Sequence, residues 1–313
     1  MISADKKLGR LIEVAELYYE QNMTQSEIAK ALGISRPLVS VLLTEAKSAG
    51  VVTITINRAE NREQLEARRL EARFGLEKVV VIPDRKSGDA TDNAIAIAAY
   101  DFCFDKKSSE RSVGVGWGSL LGRMADYAEG LENAAESKGR IFPLIGGIGA
   151  SYRGYHTNEI ARILSAKSGL AADYLYMPAF FDSESELDFA RHMETYLALN
   201  EKWEHMDLAL VNISNYPSYP DLGVEYRFAN RLSKENAVGR VLAHYYDVGG
   251  RIIEATVDNV MQASIEQLRD ARSVTAVCSS HICPACAVGA IAAGFINTLL
   301  LPESLATQIL EIA

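Results

Sequence analysis

The sequence predicts a two-part α/β protein: an N-terminal winged helix-turn-helix, then a larger, mostly parallel α/β domain. Three observations carry that expectation. Three short helix-forming stretches, the second and third with matched caps, crowd the chain up to Gly50. A run that is β-branched at every position, Val51-Val52-Thr53-Ile54-Thr55-Ile56, follows at once. From Lys78 onward short apolar runs alternate with helical stretches, the pattern of a parallel sheet with covering helices.

In residues 6–19, Leu8, Leu11, Ile12, Ala15, Tyr18 and Tyr19 recur at three- and four-residue spacing, as on one face of a helix. Val14 and Leu17 widen that face, and Gln21, Asn22 and Met23 end it. Thr24 caps a second helix, 25–32, with Glu27 three residues on as its capping-box partner. Gly33 stops it. Ser35 caps a third helix, 36–49, where Pro37 is tolerated because a first-turn N–H has no intrahelical partner. The strand at 51–56 then fits a winged variant.

Residues 61–74 are charged and helical, with Leu70 and Phe74 one turn apart. They read as a connecting helix, either part of a dimer contact or solvated. Beyond it, strands are expected at 79–82, 113–116, 141–145, 174–177, 208–213, 274–278 and 296–300. Helices are expected at 92–104, 120–128, 158–167 and 286–293. The domains are therefore 1–58, a linker at 59–77, and 78–313.

Hydrophobic residues make up 48% of the 313, enough for a large core, and charged residues 23%, the ordinary level for a soluble protein. No apolar run reaches membrane-spanning length and the N-terminus has no signal core, so a cytoplasmic protein with no membrane partner and reduced cysteines is expected. The formal net charge of −9 excludes a protein that coats nucleic acid by charge alone. It leaves room for a local basic face. Residues 24–58 carry Lys30, Arg36, Lys47 and Arg58 against Glu27 and Glu45.

A helix-turn-helix needs a small residue at the close crossing, a turn residue that accepts positive φ, and apolar side chains to lock the pair. Ala29, Gly33 and the set Ile28, Leu32, Ile34, Val39 and Leu42 meet those needs in one segment. The third helix then enters the major groove of double-stranded operator DNA with its N-terminal residues at the base edges. Arg36 is the candidate for a bidentate contact to guanine. Ser35, Ser40, Thr44 and Lys47 reach bases or phosphates, and Thr24 and Gln25 a phosphate.

In open parallel sheets, ligands bind beyond the carboxyl ends of strands. Gly116-Trp117-Gly118-Ser119 and Gly146-Gly147-Ile148-Gly149 follow two expected strands there. Such glycines either let backbone N–H groups approach an anion or hydroxyl, or only make tight turns. Arg153, Asn158, Asp207, Asn212 and Asp247 are candidate polar contacts for a sugar-like effector. Trp117 and Phe180 are candidate stacking surfaces. His281-Ile282-Cys283-Pro284-Ala285-Cys286 has the Cys-x-x-Cys spacing of zinc or dithiol sites, but no second pair completes a zinc site. No metal and no cofactor is expected. Small residues packing a helix start are the simpler reading.

With these residues in view, the chain resembles the SorC family of sugar-binding transcriptional regulators, which also includes deoxyribonucleoside and central glycolytic regulators. The resemblance spans nearly the whole chain. It rests on MTQSEIAKALGISRPLVSVLLTEAKSAGVVTITI, GVGWGSLL, PLIGGIG, NEIARILSAKSG, MPAFF, MDLALVNIS, AVGRVLAHYYDVGG and AIAAGFINTLLLPESLA, in that order. It implies a winged helix-turn-helix and an effector domain like ribose-5-phosphate isomerase and glucosamine-6-phosphate deaminase. It also implies a homodimer or homotetramer and a phosphorylated sugar as inducer. Three positions depart from the pattern. Leu120 stands where a phosphate-holding Thr or Ser is common, Cys283 lies near a common Lys, and Val238-Gly239-Arg240 replaces Val-Gly-Asp. These departures move the expected effector toward an unphosphorylated polyol.

The function expected is a DNA-binding transcriptional regulator, a repressor of a carbohydrate operon, controlled by a small sugar, polyol or sugar phosphate. The alternative is a sugar-phosphate isomerase or deaminase on the same fold. That chemistry needs a positioned acid/base pair, which the sequence does not supply.

Overall fold

The structure, a computed structural model, describes residues 4–21, 23–48, 51–52, 61–104, 111–132, 138–149, 154, 156–217 and 227–312. The chain divides into two compact units, Met1–Ala59 and Glu60–Ala313.

The first unit holds α1 (Ala4–Tyr19), α2 (Gln25–Leu32) and α3 (Arg36–Ser48). Their apolar positions meet in a small core of Val14, Ile28, Ala29, Val39 and Leu43. Of the expected lock, Ile28 and Val39 are buried, Leu32, Ile34 and Leu42 are half-buried against the cluster, and Leu43, not expected, completes the core. Leu11, Ala15 and Ala46 form a second cluster between α1 and α3. Thr24 caps α2 through the full box, accepting from the Glu27 N–H while the Glu27 carboxylate accepts from the Thr24 N–H. The expected strand at 51–56 lies outside the described residues except for Val51 and Val52. Their N–H groups donate to the Ala46 carbonyl and close the end of α3.

The second unit opens with α4 (Arg62–Phe74), then β1 (Lys78–Ile82), α5 (Gly88–Phe104), β2 (Arg111–Val115), α6 (Ser119–Glu129), β3 (Gly139–Pro143), α7 (Thr157–Ser168) and β4 (Ala171–Ala172). It continues with α8 (Glu184–Arg191), α9 (Glu194–Trp203), β5 (Leu208–Asn215), α10 (Arg231–Lys234), β6 (Ala237–Val241), β7 (His244–Asp247) and β8 (Ile252–Ile253). It ends with α11 (Ile265–Asp270), β9 (Val274–Val277), α12 (Pro284–Ala292), β10 (Thr298–Pro302) and α13 (Glu303–Ile312).

Seven strands run parallel in the order β1-β10-β9-β5-β2-β3-β4. Alternate residues of one strand serve opposite cores, which is why these strands read as continuous apolar runs. Ala209, Val211 and Ile213 of β5 join one cluster with Trp203 and Phe142. Leu208 and Leu210 join the other with Ile95 and Leu121. The connecting helix α4 is anchored on this unit. Ala67 and Leu70 are buried, the Arg62 guanidinium donates to Thr307 Oγ1, and Arg73 donates to the Leu310 carbonyl of α13.

Two features depart from expectation. Residues 174–177 are not a strand: Asn158 takes both the N–H and the carbonyl of Leu175, the two groups a neighbouring strand would need. An antiparallel hairpin, β6–β7–β8, extends from the outer half of β5. Its first turn is Leu242-Ala243, with Leu242 at φ 52°, so it lacks the Asn-Gly or Asp-Gly signal of a tight hairpin.

The chain leaves β2 toward β3 and β4, then returns to β5 on the other side of β2. The topological switch point therefore lies between the carboxyl ends of β2 and β5.

Candidate functional site

The first candidate surface is α3. Arg36, Ser40, Thr44 and Lys47 are all exposed, and their spacing of four, four and three residues places them on one helical face. Ser35 sits just ahead, exposed, accepting from the Leu38 N–H at 3.4 Å. Thr44 Oγ1 donates back to the Ser40 carbonyl at 3.0 Å, and Lys47 Nζ lies 5.9 Å from the Tyr19 ring centroid. Thr24 is exposed and Gln25 half-buried at the start of α2. The opposite side of α3 carries Val39, Leu43 and Ala46 into the core. Arg58 lies outside the described residues.

The second candidate is the switch point. Here the expected glycine turns come together, but their N–H groups are engaged. Gly116 donates to the Leu210 carbonyl, Gly118 to Gly154, Gly146 to Met261 and Gly147 to Met177. The turns hold the backbone; these four donors do not face a ligand. Asn212 is 6% exposed and its amide is used fully. Its Oδ1 accepts from the Leu120 N–H in the first turn of α6, and its Nδ2 donates to the Ile213 carbonyl and Ser214 Oγ. It occupies the place an anion would take at that helix start. Ser119 is half-buried beside it.

Trp117 is not an open stacking surface. It is buried, its Nε1 donates to the Leu242 carbonyl at 3.3 Å, and Phe180 lies 6.1 Å away between ring centroids. Two arginines flank this pair. Arg240 reaches within 6.0 Å of the Trp117 ring, and Arg227 within 5.7 Å of Phe180 and 4.8 Å of Phe228. Each arginine is 4% exposed and, among the described residues, each Nε lacks a partner. Among the described residues neither has a carboxylate within ion-pair reach. Arg240 donates to the Leu242 carbonyl and Arg227 to Ala243. Loss of solvent pushes the Arg227 guanidinium down to about 10, against weaker support from Tyr245 and Asp258. A buried guanidinium without a counter-charge is destabilising unless something anionic joins it.

The loop after β9 completes the rim. Asp92, buried on α5, accepts from the Ser280 N–H at 2.7 Å. Asn215, at the end of β5, accepts from the Cys283 N–H and donates to the His281 carbonyl. Cys283 is exposed as the N-cap of α12, with Pro284 at its first turn, and Cys286 is fully buried.

Three further candidates lie away from this cluster. Asp207 sits at the amino end of β5, where its carboxylate accepts from the N–H and Oγ of Ser112. Asp247 ends β7, accepting from the N–H groups of Gly249 and Arg251 and pairing with the Arg251 guanidinium. Asn158 is committed to Leu175. Each is a structural carboxylate or amide rather than a free contact for a hydroxyl. Arg153 lies outside the described residues. Sequence reasoning missed Arg227, Asp92 and Asn215; a lone polar residue beside a strand end carries no periodic signal. Arg240 stands out in the sequence only as a departure from the family pattern.

Among the described residues, no three His, Cys, Asp or Glu side chains gather as a metal set, and no helix is long and apolar enough to cross a membrane.

Against known proteins, the family model of a sugar-binding domain, Sugar-bind, matches residues 57–311, and the model of sigma-70 region 4 matches residues 12–48. The sorbitol operon regulator of Klebsiella pneumoniae is 25% identical over 314 residues, covering 96% of this chain and 97% of the relative. The deoxyribonucleoside regulator of Bacillus subtilis is 26% identical over 266 residues, covering 82% and 83%. The crystal structure of the full-length Klebsiella regulator superposes with a TM-score of 0.72 at 23% identity, covering 97% of this chain and 99% of that one.

Proposed function

The chain belongs to the sugar-binding-domain family of SorC-type regulators, and from that membership we propose that it controls transcription of a carbohydrate operon as an effector-gated repressor. The observation that carries this reading is the pairing, in one chain, of a capped helix-turn-helix with a polar outer face and a domain matched by the sugar-binding family over residues 57–311. In this reading Arg36 contacts a base edge, and Ser35, Ser40, Thr44, Lys47, Thr24 and Gln25 contact bases or phosphates. The effector enters at the switch point near Ser119 and Cys283. The buried guanidinium groups of Arg227 and Arg240, which pair with no carboxylate among the described residues, favour an anionic effector, a sugar phosphate over a neutral polyol.

Gating follows from linkage: an effector that binds one arrangement of the protein better shifts its affinity for operator DNA. One recognition helix reads one half-site, so the working form is a homodimer or homotetramer acting in the cytoplasm. The test is a gel-shift titration on the promoter beside the gene, with a panel of sugars, polyols and sugar phosphates, run alongside thermal-shift scanning and light scattering. A sugar phosphate that raises Tm and changes operator affinity is expected. A monomer that ignores the DNA and the whole panel would sink the proposal, and turnover of a bound ligand would favour the isomerase or deaminase.

A further inference from the structure

Cys286 is used by nothing described so far, and Cys283 has been placed only beside the proposed effector entrance. Cys283 is the N-cap of α12, exposed, with extended backbone at φ −76° and ψ 148°. Its carbonyl accepts from the N–H groups of Cys286 and Ala287 at 3.0 and 3.2 Å, which closes one turn between the two cysteines. Cys286 is buried beneath it; its thiol donates to the Ser214 carbonyl at 3.3 Å and lies 3.5 Å from the Tyr246 hydroxyl. Asn215 fixes the approach by holding the Cys283 N–H. The other titratable groups facing the pair are Tyr246 on β7 and Cys278 just past β9, while the His281 ring beside them in sequence lies against Ser280.

We propose that Cys283 and Cys286 form a thiol–disulfide exchange site that takes low-molecular-weight disulfides. This goes beyond the regulatory reading and does not depend on it. The pair divides the labour that exchange needs: one accessible thiol to attack and one shielded thiol to resolve. The Cys283 thiol gives its proton to water and its sulfur attacks one sulfur of RSSR, so the Cys283–S bond forms, the S–S bond of the reagent breaks, and RS⁻ leaves and takes a proton from water. The Cys286 thiol then gives up its proton to water and attacks the Cys283 sulfur. The Cys283–Cys286 bond forms, the Cys283–SR bond breaks, and the second RS⁻ leaves and takes a proton from water. Protein dithiol and RSSR become protein disulfide and two RSH, and two electrons pass from the cysteines to the reagent.

The environment supports that order. The Cys286 thiol, outweighing the effect of burial, and the N–H groups of Cys286 and Ala285 pull the Cys283 thiol down to about 6. The same contact with Cys283, then burial, pushes Cys286 well up. A mixed disulfide at Cys283 removes the first of those two causes, so Cys286 becomes easier to deprotonate only after the first step. Cys103 and Cys278 are buried with thiols pushed up by loss of solvent, so they serve as internal controls.

The full-length reduced protein is alkylated with iodoacetamide across pH 5–9, a window chosen to bracket about 6 and the ordinary thiol value of about 8.5, and mapped by peptide mass. Cys283 labelling is expected to have its midpoint well below the ordinary thiol value, in keeping with a thiol held down to about 6. At pH 7 it is expected to outpace Cys103 and Cys278 by roughly tenfold or more. Oxidised glutathione is expected to convert wild type to the Cys283–Cys286 disulfide, and to leave Cys286→Ser as a stable glutathione adduct at Cys283. A Cys283 midpoint at the ordinary value overturns the proposal. So does wild type that stays a dithiol, or that stops at the mixed adduct. Cys286→Ala, checked by circular dichroism, replaces the serine variant if that does not fold, and the wild-type mapping decides independently of both.

Discussion

Both units turn on a glycine, and the two glycines are held for different reasons. Gly33, between α2 and α3, sits at φ 65°, and a Cβ there would meet nothing within 4 Å. Its requirement is conformational only. Gly118, at the switch point, sits at φ 141°, and a Cβ there would lie 2.4 Å from Cγ of Asn212. Asn212 has no freedom to move, since its amide already holds Leu120, Ile213 and Ser214. The small unit commits little of its surface to its own architecture and leaves a polar helix face outward. The large unit folds its polar groups back on itself, so the same residue type there is structural.

The contrast is sharpest for Gly118→Ala, which combines backbone strain with a clash in a packed site. It is expected to destabilise the large unit by roughly 3 kcal/mol or more, read as a drop in urea midpoint. A variant as stable as wild type would show that Asn212 can yield. Next is Arg36→Ala, expected to weaken operator binding by roughly 1–3 kcal/mol while leaving any ligand-induced Tm shift intact. Unchanged DNA affinity would move the recognition surface off the start of α3. Gly33→Ala is the smallest, about 1 kcal/mol of stability from φ alone. A loss as large as that for Gly118→Ala would erase the distinction between the two glycines.

What can be read from residues alone follows the same division. On α3 the exposed positions repeat with the helix, so the amino-acid order already groups Arg36, Ser40, Thr44 and Lys47 on one face. Six of the seven parallel strands are legible because their buried stretches are largely apolar; β4, two alanines long, carries no such run. The hairpin is hidden because Leu242 adopts positive φ without being glycine or asparagine. At the switch point the glycines are legible, but not the destinations of their N–H groups. Gly146 finds its acceptor in Met261 and Gly118 in Gly154, partners that neither periodicity nor spacing reveals. Asn158, Asp207 and Asp247 look like free hydrogen-bonding groups for the same reason. Arg227 and Arg240 matter because, among the described residues, no carboxylate pairs with them, which only three dimensions can show.

The pairing of β1 with β10 also imposes a delay. The register joins Lys78 to Thr298 and Ile82 to Pro302. During synthesis the apolar edge Val79–Ile82 therefore emerges long before its parallel neighbour. At ordinary translation speeds that wait is roughly ten to forty seconds. For that interval the nascent chain carries an unpaired valine-rich edge beside α4, the kind of surface that chaperones cover and that neighbouring chains can borrow.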